Sequence, residues 1–410
     1  MDCDHWKLAV LVMITHVHRA ILAGCFMSLS ASALAEGMID VKPYVSANVS
    51  YDDNVFRFSS SEQAKAAFGS SDTSDVVKRM DLGVNVNVRL SRQVFTLASN
   101  INESRYGRFD ILDNTGKSNK LGWNWRVGND FYGELSASQS DAIAGFNEIK
   151  QPVKNLRTTS RQSAAAHWNF YPSWTADVTR EHVKTENELI SFSGSDREDD
   201  VFEAGVRYQN PLGTQLGLAY RILDSDFPNR TFSLLGDEST KKDIIATAAW
   251  LPTVKTKISA RVSQVNIEYK DTPQRDFSGL SQRWNLDHML TAKTSVNLTA
   301  YQEVSPVDDV LSTYVKTKGF AINPVWNATS KIAIRAGLGY EERDYLGSTG
   351  FLLVDGDRYD ESRSANLSFI YTPTTKSVVQ IQYQGENRTS NITSFGYKFN
   401  NINLLMRYDF

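Results

Sequence analysis

Three histidines, His167, His182 and His288, follow the first 36 residues of this 410-residue chain. A histidine beside a hydroxyl or an activated water is the usual start of hydrolytic chemistry, because its ring exchanges a proton near neutral pH. The chain offers no partner at a recognised spacing. It has neither a G-x-S-x-G turn nor an H-E-x-x-H pair. His182 is near Asp177 and Glu181 in sequence, which does not make them converge, and His167 adjoins Trp168, where a structural role is expected. The reading is a non-enzyme with no cofactor and no metal site.

The remaining chemistry is polar and periodic. Charged side chains recur on alternate positions: Arg89, Arg126, Arg207, Arg221, Arg283, Arg335 and Arg407 are basic, and Glu134, Asp177, Glu181, Glu203, Asp287, Glu341 and Asp409 acidic. Gln380, Gln382 and Gln384 continue the pattern with amides. Such groups pair with one another or offer hydrogen bonds to a hydroxylated cargo. Two acidic stretches, residues 195–200 (SDREDD) and 236–239 (GDES), are solvated loop or a place for divalent cations.

The elements that carry these residues are strands. In residues 81–90 (DLGVNVNVRL), Leu82, Val84, Val86, Val88 and Leu90 take one face and Asn85, Asn87 and Arg89 the other. Leu121, Trp123, Trp125 and Val127 oppose Asn124 and Arg126 in the same way, and Ile332, Ile334, Ala336 and Leu338 oppose Arg335. A period of two means different surroundings on the two faces. A soluble sandwich turns the apolar face inward; a membrane barrel turns it out to lipid and lines its lumen with the polar face.

Three features favour the barrel. Turn signals around Pro172, Pro211, Pro252, Ala292, Asn327 and Pro373 lie about 36 to 45 residues apart, room for two strands and one longer loop. With turns at Ser91-Arg92 and Gly128-Asn129-Asp130 they make eight, hence about 18 strands, with 16 as the runner-up because residues 59–75 and 142–156 allow another division. The outer loops are expected at about 10 to 20 residues. Trp123, Trp125, Trp168, Trp174, Trp250 and Trp326 lie close to short turns, as an interfacial belt requires, and Trp284 does not. The last ten residues, NINLLMRYDF, alternate and end on Tyr408 and Phe410, which resembles the tag read by the barrel assembly machinery. The fold class is therefore all-β, a transmembrane antiparallel up-and-down barrel in the bacterial outer membrane, with membrane lipid as its surroundings.

Residues 1–35 read as a signal peptide, with Ala33-Leu34-Ala35 before the cut, and residues 36–410 as the barrel. Starting translation at Met13 would give an ordinary charged and then apolar leader. Leu22-Ala23-Gly24-Cys25 also fits acylation at Cys25, but leaves too short an apolar core after Arg19. With the first cut, Cys3 and Cys25 both depart, leaving no disulfide framework. A balance of 44 basic against 47 acidic residues argues against nucleic acid as a partner.

Residues 41–58 read VKPYVSANVSYDDNVFRF. The run Tyr51-Asp52-Asp53-Asn54-Val55-Phe56-Arg57 soon after a leader resembles the opening of outer-membrane β-barrel proteins associated with exopolysaccharide gene clusters and exosortase systems, which are grouped with the β-barrel porins. The resemblance implies a role in moving exopolysaccharide across the outer membrane with periplasmic export components. It supplies no site residues. From their place where the first strand leaves the membrane, Asp52, Asp53, Asn54 and Arg57 are expected at the outer mouth, fixing a loop or touching sugar. Phe56 and Phe58 are expected in the outer aromatic belt, with stacking on sugar faces as the alternative. The rival function is a general or substrate-specific diffusion porin for small solutes, and a scaffold with an occluded lumen is a third reading.

Overall fold

The computed structural model describes residues 38–147, 151–231, 236–306, 312–347 and 358–410. The expected leader, with Cys3, Cys25 and its cleavage site, lies outside the described residues. Eighteen strands follow in chain order: β1 (Ile39–Asp52), β2 (Asp75–Leu90), β3 (Gln93–Tyr106), β4 (Asn114–Val127), β5 (Phe131–Ile143), β6 (Leu156–Tyr171), β7 (Trp174–Asn187), β8 (Arg197–Gln209) and β9 (Gln215–Asp226). The second half comprises β10 (Glu238–Thr253), β11 (Thr256–Tyr269), β12 (Phe277–Met289), β13 (Thr294–Pro306), β14 (Tyr314–Trp326), β15 (Ile332–Leu346), β16 (Arg358–Thr374), β17 (Ser377–Ser390) and β18 (Tyr397–Asp409). Each pairs antiparallel with its chain neighbours, and β1 pairs with both β2 and β18.

That last pairing closes the sheet. Tyr44 faces Asp409 and Asp52 faces Asn401, and the Phe410 amide donates to the Pro43 carbonyl at 3.0 Å. Closure removes the free edge, whose unpaired backbone groups would each cost several kcal/mol in hydrocarbon. The fold is that of a bacterial outer-membrane barrel, with the 18 strands expected from the turn rhythm.

The eight connections on the side where β1 begins are two to five residues long. Their chemistry is local. Pro172 fixes the first central φ of the β6–β7 turn and Ser173 takes φ 71 at the second, while Ser91 takes φ 57 between β2 and β3. The nine connections at the other end are longer, but five have fewer than ten residues, shorter than expected. The strands run 12 to 17 residues. About 9 to 11 suffice to cross the membrane, so the strands themselves project outward and do part of the work assigned to loops.

The outer face is apolar. Val41, Val49, Leu121, Leu338, Ile381 and Met406 are all at least half exposed or nearly so, at 51%, 44%, 56%, 59%, 51% and 50%. Trp123, Trp168, Trp174, Trp250 and Trp326 point the same way near the short turns. So does Trp284, at mid-wall, between Ala260 and Ala300 on its neighbouring strands.

The packed apolar residues form two clusters: a smaller one, Val265, Ile267 and Tyr269 of β11 with Phe277 of β12, on the inward face of the barrel wall, and a larger one in the loops. In the β1–β2 loop a short helix, α1 (Ser61–Phe68), starts at Ser60, whose Oγ accepts from the Gln63 amide, and stops at Gly69, φ 77. Beside it Phe56 and Phe58 are buried against Phe68, Phe109 and Phe146, with ring centroids 4.7 to 5.8 Å apart. This corrects the expectation of a belt position. The two rings find partners on three loops, so burial there outweighs a place at the headgroups.

Candidate functional site: the barrel lumen

Register decides which side chains meet inside. Tyr44, Ser46, Asn48, Ser50 and Asp52 of β1 share a cavity with Asn401, Asn403 and Arg407 of β18 and with Arg79, Asp81, Asn100 and Asn102 of β2 and β3. These are the alternate positions that the apolar outer face leaves over. Following the pairing around the barrel puts Arg89, Arg126, Glu134, Glu203, Arg207, Arg221, Arg335, Glu341 and Arg407 on this inward face.

They do not gather into one constellation. Arg89 stands one residue from the β2–β3 turn, and the Arg126 guanidinium lies 5.2 Å from the Tyr132 ring centre. Glu134 has Asn124 and Ala165 as register neighbours. Arg335 is opposite Val325 and Ser368. Glu203 is opposite Arg221, whose buried Nε has no hydrogen-bond partner among the described residues. Arg207 reaches Asp177 at 3.3 Å.

One group is assembled across β12 to β15. The Tyr301 hydroxyl donates to Glu341 at 2.5 Å, Arg343 meets the same carboxylate at 2.5 Å, and Arg283 pairs with Glu303 at 2.8 Å while lying 4.4 Å above the Tyr301 ring. Gly319 makes room for it: a Cβ there would sit 2.3 Å from Tyr301 Cζ. Tyr301, Glu303 and Arg343 were not singled out from sequence, although strand parity alone places them inward.

A second regularity is local. Arg79 and Asp81, Arg197 and Asp199, Arg358 and Asp360, and Arg407 and Asp409 each stand two apart and form ion pairs of 2.6 to 2.7 Å. Residues two apart share a strand face, so an R-x-D run in sequence is already a lumen ion pair. Arg388 also grips Asp360, which is fully buried. Both signs thus occur together on the wall, and no ring of one sign forms among the described residues.

At the mouth, the four residues expected there are occupied with holding the first loop. Arg57 donates to both Asp52 oxygens at 2.8 Å and stacks 3.6 Å above Phe399. Asn54 donates to the carbonyls of Phe58 and Lys398 and accepts from the Phe58 amide. Asp53 accepts from the backbone and side chain of Asn400, both at 2.7 Å. Farther along that loop, Asp72 is bound at 2.6 Å by Arg108 of the β3–β4 connection, and hydrogen bonds from Arg108 and then Ser74, with the arginine's charge last, hold its carboxyl below the usual carboxylate range.

The histidines and acidic loops are also engaged. His167 faces the lumen, 2.5 Å from Asp177 and stacked on Tyr132, whereas His182 faces outward, 3.4 Å from Asp200, so His182 and Asp177 do not converge. In the acidic stretches Asp196 caps the Asn187 amide, Asp199 holds Arg197 and Ser225, and Glu238 pairs with Lys270. No group of three metal-binding side chains occurs among the described residues.

No protein-family model matches the chain, and no curated protein is similar enough to count as a match. Solved outer-membrane barrels are similar in fold. OccAB3 of Acinetobacter baumannii is 10% identical over 90% of this chain and 99% of that one, with a TM-score of 0.50. A mutant ferric enterobactin receptor (PfeA) of Pseudomonas aeruginosa, in complex with enterobactin, is 10% identical over 90% and 81%, with a TM-score of 0.50. At such identity the likeness extends to the barrel. The exopolysaccharide association suggested by residues 51–57 gains no support from it.

Proposed function

We propose that the protein is a channel through which small hydrophilic solutes diffuse across the bacterial outer membrane. The observation that carries this reading is a closed 18-stranded wall whose inner face is mostly amide, hydroxyl and compensated charge, with an apolar patch at Val265, Ile267 and Tyr269. Barrels of 16 to 18 strands are wide enough for an aqueous passage. A wall rich in both donors and acceptors replaces the hydration of a polar solute, and mixed signs do not bar either ion.

Reconstitution of the purified protein in planar bilayers tests this. Stepwise conductance that rises linearly with salt supports a diffusion channel; membranes left silent by a correctly folded barrel would remove it. The same cell weighs the exopolysaccharide alternative. Block by the host's secreted polysaccharide, and loss of that polysaccharide on gene deletion with unchanged solute uptake, would favour export instead.

A further inference from the structure

One rung of the lumen wall carries no charge. The rung Ser368–Gln382–Asn403–Ser50 crosses β16, β17, β18 and β1 with hydroxyls and amides only. A cavity of about 830 Å³ opens against this wall, under the first outer loop, whose Val55 and Arg57 line it. That volume lies within the roughly 300–1,000 Å³ range of small-molecule sites.

Three features define its chemistry. Its three arginines are each held by a carboxylate of the same wall, Arg57 by Asp52, Arg79 by Asp81 and Arg407 by Asp409, at 2.8, 2.7 and 2.6 Å, while Lys117 and Asp141, which also border it, are register neighbours on the outward parity of β4 and β5. Charges compensated at contact distance leave dipoles rather than a net field. The middle of the cavity is amide: Asn48 donates to Asn403 at 3.0 Å, and each amide keeps further donor or acceptor capacity. Finally, the Asn100 side-chain oxygen, in the same lining, is buried with no hydrogen-bond partner among the described residues. A buried acceptor of that kind is costly unless something completes it.

We propose that this cavity binds an uncharged, polyhydroxylated solute of monosaccharide to disaccharide size. The proposal rests on the diffusion-channel reading and names the solute class for it. A sugar hydroxyl both donates and accepts, as a primary amide does, so the two match without moving any side chain. A carboxylate or ammonium ligand would have to draw an arginine or an aspartate away from its present partner.

The test uses the purified protein in liposomes and planar bilayers. Glucose, glucuronate and glucosamine serve as probes of similar size and different charge, and sucrose as a blocker of ion current. The variants are Asn100→Leu, Asn403→Leu and the isosteric Asn403→Asp, with heat-modifiable migration as the check of folding. Glucose should enter faster than either charged analogue, and sucrose should block saturably. Each leucine variant should weaken that block about fivefold, the value of one hydrogen bond of ordinary strength. Asn403→Asp should weaken the block and raise cation preference, even where the leucine variants fail to fold. Faster entry of glucuronate than glucose, or a sucrose block unmoved by Asn403→Asp, would overturn the site and leave the channel standing. A folded barrel with no conductance would overturn both.

Discussion

At the residue scale the lumen is governed by pairing. Arg57 and Asp52 show its effect, with side chains only 15% and 11% exposed. Removing one partner strands the other in a poorly solvated place. Arg57→Ala should weaken docking of the first loop by about 2 kcal/mol, seen as faster tryptic cleavage between residues 59 and 74, and Arg57→Lys should restore only part of it, since a lysine cannot form the two-pronged contact. The Asp72–Arg108 pair makes a pH prediction. The folded carboxyl titrates below its unfolded counterpart, so its contribution is present above the unfolded value and is lost as pH falls through the folded one. Both side chains are about half exposed, so the contribution is small. Loop cleavage rates should therefore stay flat from about pH 5 to 8 and rise only below about pH 4, and Asp72→Asn should abolish that acid response.

At the element scale, what was legible in the sequence and what was not divide along contact order. Alternation and turn chemistry are local, so residues 81–90 and Tyr171-Pro172-Ser173 reveal strand and turn without any tertiary information. The same parity gives the inward face of Arg126 or Arg335, and R-x-D runs give ion pairs within one strand. Partners on other strands, such as Tyr301 with Glu341, depend on the register of several hairpins and leave no sign in either segment. The loop core was illegible for the same reason. Phe56 meets Phe109 and Phe146, which lie far along the chain, and nothing near residue 56 announces them. Phe56 is fully buried there. Phe56→Ala should cost the loop about 3 kcal/mol or more, exposing it to protease, while the barrel keeps its heat-modifiable migration because its closure does not involve that ring.

At the scale of the whole molecule, charge is mixed rather than zoned into rings. Arg79 with Asp81, Glu203 with Arg207, Arg283 with Asp287 and Arg407 with Asp409 place both signs on the same strands. Reversal potentials under a potassium chloride gradient should accordingly give a cation-to-anion permeability ratio within about threefold of one. A ratio far outside that range would mean that the ion pairs do not screen one another in the open pore. All of this presumes that the two faces of each strand meet different media, lipid outside and water within. Cysteine labelling along β18 examines that most directly, on a background lacking Cys3 and Cys25 and in proteoliposomes. A water-borne maleimide should react quickly with Asn403→Cys and Asn401→Cys and slowly with Leu404→Cys and Ile402→Cys, while a bilayer-soluble quencher should report the reverse. Equal reactivity at neighbouring positions, or fast reaction at Leu404→Cys and none at Asn403→Cys, would contradict the account.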